Sequence, residues 1–341
     1  MIKKIRIKNF KCYGPRGADF NLSRVNFIFG DNSAGKSTFL QFLAKIGEVC
    51  KLDGKCDRGV FDKYTFKSQP ADISAKIRVS HGEEQDEVWT FGVSKENKSS
   101  YDLTDEKGKV VDLERLSAVL SATGGENIVH VVANRFRNSH EDGSADWLGK
   151  FERKIKMETV EKARDYVNDI LSRLGVPYTC ITEENANGVS DTSIHDEDFD
   201  VDLPVAEVGT GIDGLFHLAL TLNDWQSGIL AIEEPETNVG EEQMAALARI
   251  LVEEALKRSS GQLIVECHSK IMALQLIDLV RRGVLTCGAA QNANLSVIVV
   301  RKTREGSMVE DVKIDTTGDV SWPRGFFPAE GNILRTTYGV C

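Results

Sequence analysis

Long apolar runs, paired cysteines, internal repeats and an excess of positive charge are all missing from this chain of 341 residues. No stretch approaches the roughly 20 apolar residues that span a bilayer, so no membrane segment is expected. The opening Met1-Ile2-Lys3-Lys4-Ile5-Arg6-Ile7 alternates like a strand and lacks the layout of a signal peptide. The seven cysteines (12, 50, 56, 180, 267, 287 and 341) are odd in number and contain no C-x-x-C pair. Their pattern argues against a zinc site and for a reduced, cytoplasmic protein. No heptad run or repeat appears, which leaves no room for a long coiled-coil arm. A toprim-like acidic cluster, an H-N-H arrangement and further metal-ligand spacings are absent too, so nuclease chemistry is not expected here. With a net charge of −10 the surface as a whole repels nucleic acid. Basic clusters at Lys3–Lys11 and Arg301–Arg304 read first as solvated strand ends and keep DNA binding open without the support of net charge.

What is present is concentrated in residues 22–47. Val25-Asn26-Phe27-Ile28-Phe29 is a short buried-strand pattern. It feeds Gly30-Asp31-Asn32-Ser33-Ala34-Gly35-Lys36-Ser37, which matches G-x-x-x-x-G-K-[ST]. Phe39, Leu40, Phe42, Leu43 and Ile46 then recur at helical spacing. Strand, loop and helix are the context that a nucleoside triphosphate site requires. The glycines let backbone N–H groups approach phosphate oxygens, and the helix start adds its positive dipole end. Lys36 reaches the β and γ phosphates, Ser37 offers a hydroxyl to Mg²⁺, and Thr38 follows on the first turn.

Two further stretches complete the chemistry. Ile229-Leu230-Ala231-Ile232-Glu233-Glu234 is an apolar strand ending in carboxylates. Glu233 can hold magnesium through water, and Glu234 can orient or deprotonate an attacking water. The next strand, Gln262–Val265, is followed by Glu266-Cys267-His268, from which His268 can contact a γ-phosphate. Gly209-Thr210-Gly211, ahead of a helix at 213–224, reads either as a second anion nest or as a plain helix cap.

The remaining chain is read as follows. Strands are expected at 3–9 and 25–29, an antiparallel β-meander at 74–103, a helix near 112–122 and a strand at 128–133. A helix within 147–174 precedes an acidic segment at 182–202, read as a solvated loop or a docking surface, in which His195 is an ordinary loop histidine. Helices at 241–257 and 269–282 and strands at 228–232, 295–301 and 308–314 complete it.

With these pieces in this order, the chain resembles the ABC-type AAA ATPase heads of the RecF, SMC and OLD lineage. Ile5-Arg6-Ile7-Lys8-Asn9-Phe10-Lys11 followed by Phe29-Gly30-Asp31-Asn32-Ser33-Ala34-Gly35-Lys36-Ser37-Thr38 is typical of that group. It looks most like the short, arm-less OLD-like ATPases of prokaryotic anti-phage modules such as Septu and PARIS. Trp322-Pro323-Arg324-Gly325-Phe326-Phe327 is similar to a motif closing one such group. The resemblance implies that Val208–Gly211 is the signature loop, Glu233-Glu234 the Walker B end and His268 the switch histidine. Arg135 falls where relatives place an arginine near the nucleotide, a surface salt bridge being the other reading.

The implied fold is α/β, an ABC-type P-loop ATPase head with an inserted antiparallel β-meander and a small helical subdomain. Its segments would be an N-terminal lobe (1–137), a helical insertion with an acidic loop (138–203) and a C-terminal lobe (204–341). The family mechanism implies ATP and Mg²⁺ as cofactors and a homodimer or higher oligomer. ATP on the loop of one subunit is then closed over by Gly209, Thr210 and Gly211 of another. A partner effector, nuclease or toxin, encoded alongside is implied as well. Asp213-Gly214 and Thr237-Asn238-Val239-Gly240 depart from the patterns of relatives, which points to firm ATP binding with slow turnover. The competing readings are a RecF-like DNA-repair ATPase, a small-molecule P-loop kinase and a nucleotide-binding scaffold without turnover.

Overall fold

Three six-residue strands, Val25–Gly30, Gly228–Glu233 and Gly261–Glu266, are buried almost throughout and anchor the fold, as strands covered on both faces do. The structure, a computed structural model, describes residues 1–51, 73–80, 86–93, 101–120, 129–133, 157–184, 190–288 and 293–323. In chain order the first elements are β1 (Ile2–Lys8), β2 (Ala18–Asn21), β3 (Val25–Gly30), α1 (Lys36–Lys51), β4 (Ile73–Val79), β5 (Glu87–Val93), β6 (Tyr101–Asp105) and α2 (Leu113–Leu120). There follow β7 (Val129–Ala133), α3 (Met157–Leu174), β8 (Tyr178–Glu184), β9 (Ser190–Asp196), β10 (Val201–Pro204), α4 (Thr210–Asp224) and β11 (Gly228–Glu233). The last are α5 (Glu241–Lys257), β12 (Gly261–Glu266), α6 (Lys270–Arg281), β13 (Leu295–Thr303) and β14 (Gly306–Val312). Two compact units result, Met1–Leu120 with Leu276–Cys341, and Ser121–Gln275. Among the described residues no helix is long and apolar enough to cross a membrane.

In the first unit an antiparallel sheet has the order β2-β1-β4-β5-β6. The expected meander is therefore three strands of a larger sheet that the N-terminal strand β1 continues and β2 closes at the other edge. β2 was not expected: its four residues follow a turn and bury only Ala18 and Phe20, too little for a visible alternation. β3 pairs in parallel with β13, which pairs antiparallel with β14. Helix α1 is held by aromatic contacts. Phe39 stacks on Phe20 at 3.9 Å, Phe42 meets Phe10 edge-on at 5.0 Å, and Tyr13 meets Phe20 at 5.7 Å. All five rings are buried, so this cluster ties the N-terminal segment to the helix that follows the glycine-rich loop.

In the second unit β11 lies between β12 and β7, all parallel, with α5 as the crossover between β11 and β12. α5 opens with Glu241 and Glu242 and closes with Lys257, charges that oppose the helix dipole at both ends. The acidic segment at 182–202 differs from expectation. It belongs to a three-stranded antiparallel sheet, order β10-β9-β8. Among the described residues the apolar pairs in register are Cys180 with Ile194 and Ile194 with Leu203, so the strands are almost silent in hydrophobic pattern. Asn168 of α3 fixes the sheet by bonding both the Cys180 N–H (2.7 Å) and its carbonyl (3.2 Å). His195 is a strand residue bonded to Asp202 at 2.7 Å, which raises its pKa. The expected helix at 147–174 is seen as α3, and the residues ahead of it lie outside the described ones.

A buried charge locks α3, α4 and α5. Glu254 is 1% exposed and receives bonds from Tyr166 (2.7 Å), Lys257 (2.6 Å), Arg258 (3.0 Å) and Arg173 (3.3 Å). Arg258 also reaches the Leu222 carbonyl at 2.6 Å and lies over the Trp225 ring. Burial alone would raise the Glu254 carboxyl, but the bonds from Lys257, Tyr166 and Arg258 outweigh it and hold it at about 2. Glu254→Gln is expected to lower stability by about 2–3 kcal/mol, read as a lower urea midpoint at unchanged slope. Because the folded value lies below the ordinary 4.5, this stabilisation is full above about pH 4.5 and is lost as the pH falls towards 2. The gap between wild type and variant should narrow over that interval.

Candidate functional site

β3 is buried along its whole length and delivers the 30–37 loop at its end. Gly30 stands opposite Val300 of β13 with φ +147°, and a Cβ on it would lie 2.1 Å from the Val300 carbonyl oxygen. Gly35 has φ +117°, and a Cβ there would meet the Cys12 sulfur at 2.7 Å and the Ser307 hydroxyl at 2.9 Å. Only glycine fits either position. Between them Asp31, Asn32 and Ser33 are exposed, Ala34 is buried, and Ser33 takes a left-handed φ of 60°. The loop is also pinned by hydroxyls from elsewhere in the unit. Tyr13 donates to the Gly35 carbonyl at 2.6 Å and Ser307 to the Ala34 carbonyl at 2.5 Å.

Lys36 is 3% exposed, and its Nζ donates to the carbonyls of Gly30 and Asp31, each at 3.0 Å. The ammonium is thus folded back over its own loop. Ser37 and Thr38 are half-buried on the first turn of α1, whose N-terminal amides face the loop end of the helix. Glycine positions that a Cβ would fill, a buried ammonium, a serine hydroxyl and a helix start form a set that fits a polyphosphate with its magnesium ion.

In the second unit β11 ends at Glu233, half-buried and in register with Glu266 of β12 and Ala133 of β7. The chain turns sharply at Glu234, which takes a left-handed φ of 45°, unusual for a side chain of this size. Its N–H is held by the Glu266 carbonyl at 2.9 Å. The turn brings Glu234 Oε1 within 3.3 Å of His268 Nε2. Glu236 is 7% exposed and accepts the His268 backbone N–H at 2.5 Å. Glu266, 2% exposed, joins Glu234 and His268 in a group whose ligand atoms lie within 4.8 Å of one another.

Glu234 and His268, both singled out in the sequence, are thus brought together, whereas Glu236 and Glu266 were not singled out. A signal for Glu266 existed, since it ends an apolar strand just as Glu233 does. Glu236 could not be seen, because its contact is to a backbone amide 32 residues away.

The Gly209–Gly211 stretch starts α4, with Gly209 as N-cap and no side-chain cap bond. Gly209 and Thr210 are exposed. A Cβ on Gly211 would lie 2.2 Å from the Asn238 carbonyl oxygen, so the turn after β11 packs on the start of α4. Asp213 lies in the first turn of α4 and pairs with His217 at 3.3 Å. Arg135 and Arg324–Phe327 lie outside the described residues.

Gly30→Ala should be poorly tolerated, since the left-handed backbone and the Val300 carbonyl both oppose a methyl group. A loss of at least about 2 kcal/mol in urea unfolding is the expected result.

Comparison with known proteins completes the picture. Residues 4–174, half of the chain, match the family AAA_23, an AAA domain. No curated protein matches the chain. Among solved structures, the SMC head domain from Thermotoga maritima is similar, with 16% identity, 92% of this chain and 99% of that chain covered, and a TM-score of 0.59. An SMC head bound to the C-terminal winged-helix domain of ScpA gives 16%, 92%, 98% and 0.64. An SMC head with an extended coiled coil from Pyrococcus furiosus, bound to the C-terminal domain of ScpA, gives 13%, 92%, 96% and 0.62. At these identities the likeness concerns the fold, an α/β ABC-type P-loop ATPase head. The chain belongs to the AAA_23 family of AAA domains and shares the α/β fold of the SMC head domains.

Proposed function

We propose that the protein binds ATP with Mg²⁺ and hydrolyses it slowly as a dimeric or higher switch. The observation that carries this reading is the 30–37 loop, whose two glycine positions exclude any side chain and whose lysine lies over it. Lys36 would neutralise the β and γ phosphates, with the backbone of Gly30–Gly35 and the start of α1 cradling them. Ser37 and Glu233 would hold Mg²⁺, which supplies charge neutralisation at the phosphates. Glu234 would orient and deprotonate the attacking water, and His268 would sense the γ-phosphate. Their 3.3 Å pairing supports a shared role, since the imidazole can steer the carboxylate. Catalysis of this kind is positioning and charge neutralisation, without a covalent intermediate.

Gly209, Thr210 and Gly211 would close over ATP bound to another subunit. The exposed start of α4 supports this, as free helix amides suit an anion. Asp213 on the same turn adds negative charge where phosphate would approach, which supports slow turnover. Arg135 would assist at the nucleotide.

For the biological setting we propose an ATP-driven scaffold or sensor for a partner effector in anti-phage defence, working in the cytoplasm. This rests on the resemblance to arm-less OLD-like ATPases. The second reading, a RecF- or SMC-like ATPase acting on DNA, is favoured equally by the likeness to SMC heads. It predicts DNA affinity that falls steeply with salt.

Light scattering with and without Mg-ATP tests the switch. The expected result is ATP-dependent assembly of the wild type that Lys36→Ala abolishes. A monomer under every condition would overturn the composite-site mechanism. Glu234→Gln is expected to slow phosphate release by at least about a hundredfold while ATP still binds. Unchanged release would remove Glu234 from the chemistry.

A further inference from the structure

The grouping of Glu234, Glu266 and His268 has a coordination geometry of its own. We propose that these three residues form a site for a divalent first-row transition ion, of the Mn²⁺ or Zn²⁺ class, distinct from the magnesium that accompanies ATP.

Two carboxylates and one imidazole are a donor set for such an ion. Magnesium favours oxygen donors and keeps most of its water, whereas an imidazole nitrogen shifts preference to the transition series. The distances suit it. Donors about 2.0–2.2 Å from a metal stand roughly 3.0–3.5 Å from each other in octahedral or tetrahedral arrangements. The His268 Nε2 to Glu234 Oε1 separation is 3.3 Å, one such edge. All three donors lie within 4.8 Å of one another.

The surroundings supply an independent argument. Glu236 accepts the His268 N–H through Oε1, while its Oε2 is buried without a hydrogen-bond partner among the described residues. A carboxylate 7% exposed is costly to leave half-satisfied, and a cation beside His268 would offset that cost. Glu266, at 2% exposure, is another carboxylate withdrawn from water at the same strand end. Cys267, between Glu266 and His268 in sequence, is engaged elsewhere, 3.5 Å from the Met272 sulfur, and takes no part. The backbone is preorganised as well. The left-handed turn at Glu234 and its N–H bond to the Glu266 carbonyl fix the two carboxylate-bearing segments against each other.

An ion here would occupy the two side chains that the ATPase reading assigns to water activation and γ-phosphate sensing. Resting on that reading, the site is a metal-responsive brake: an ion bound to Glu234 and His268 withholds both from hydrolysis. The ligands themselves do not depend on the reading, and the two can be tested apart.

The experiment titrates full-length Lys36→Ala with Mn²⁺ in excess Mg²⁺, followed by electron paramagnetic resonance. Zn²⁺ is titrated in parallel against a chromophoric chelator. Lys36→Ala removes nucleotide-linked binding, so a failure of the ATPase reading leaves the result interpretable. One ion per chain is expected. Glu266→Gln and His268→Gln, each in the same background, should weaken binding at least about tenfold, while Glu233→Gln leaves it unchanged. Far-UV circular dichroism controls folding. His268 is partly exposed, so its variant serves if Glu266→Gln unfolds the chain. Absence of binding above Mg²⁺ competition would overturn the proposal. So would binding that Glu233→Gln abolishes and His268→Gln leaves intact.

Discussion

A strand covered on both faces cannot carry an ionised side chain along its interior, because desolvating a charge there costs far more than the strand contributes. The chemistry of this protein is consequently pushed to strand ends. β3 is buried to its last residue and carries no ionisable side chain, and Lys36 comes only after the loop that follows. β11 turns acidic at Glu233, β12 at Glu266, and His268 stands two residues on. Residues that a sequence scatters over more than thirty positions are gathered wherever two such strands run parallel and stop together.

Two kinds of rigidity support these ends. One is backbone exclusion. At Gly30 and Gly35 a neighbouring carbonyl, thiol or hydroxyl already occupies the space a side chain would need, so the loop has one conformation. The other is a buried charge network. Glu254 with four hydrogen-bonding neighbours makes α3, α4 and α5 a unit, and α4 carries Gly211 against the turn after β11. The start of α4 and the Glu234–His268 pair are thereby fixed relative to one another without lying in one segment.

On the reading proposed above, this arrangement suits a switch better than a fast enzyme. Glu234 is spent partly on pairing with His268, and Asp213 on pairing with His217 at the helix start where an anion would be received. A head built to hold ATP and to change its assembly on turnover needs firm phosphate contacts more than speed. A transition ion seated between Glu234, Glu266 and His268 would add a second input to the same element, through charge neutralisation at one strand end.

Sequence alone determined what depends on contiguous residues. The 30–37 loop, the apolar strands around it and the helix at 241–257 were legible because period, run length and glycine spacing are local signals. Glu234 and His268 were legible as residues at the ends of apolar strands, while their pairing was not. Tertiary structure alone decided the rest. β2 and the sheet β8–β10 bury too few apolar side chains to leave a period-2 trace, so only their ladders reveal them. Cys12, Tyr13 and Ser307 support the loop from positions up to 273 residues away, and Glu236 meets His268 through a backbone amide. Such contacts depend on which segments the fold brings side by side, and a hydrogen bond to a main-chain group leaves no mark on residue type at its far end.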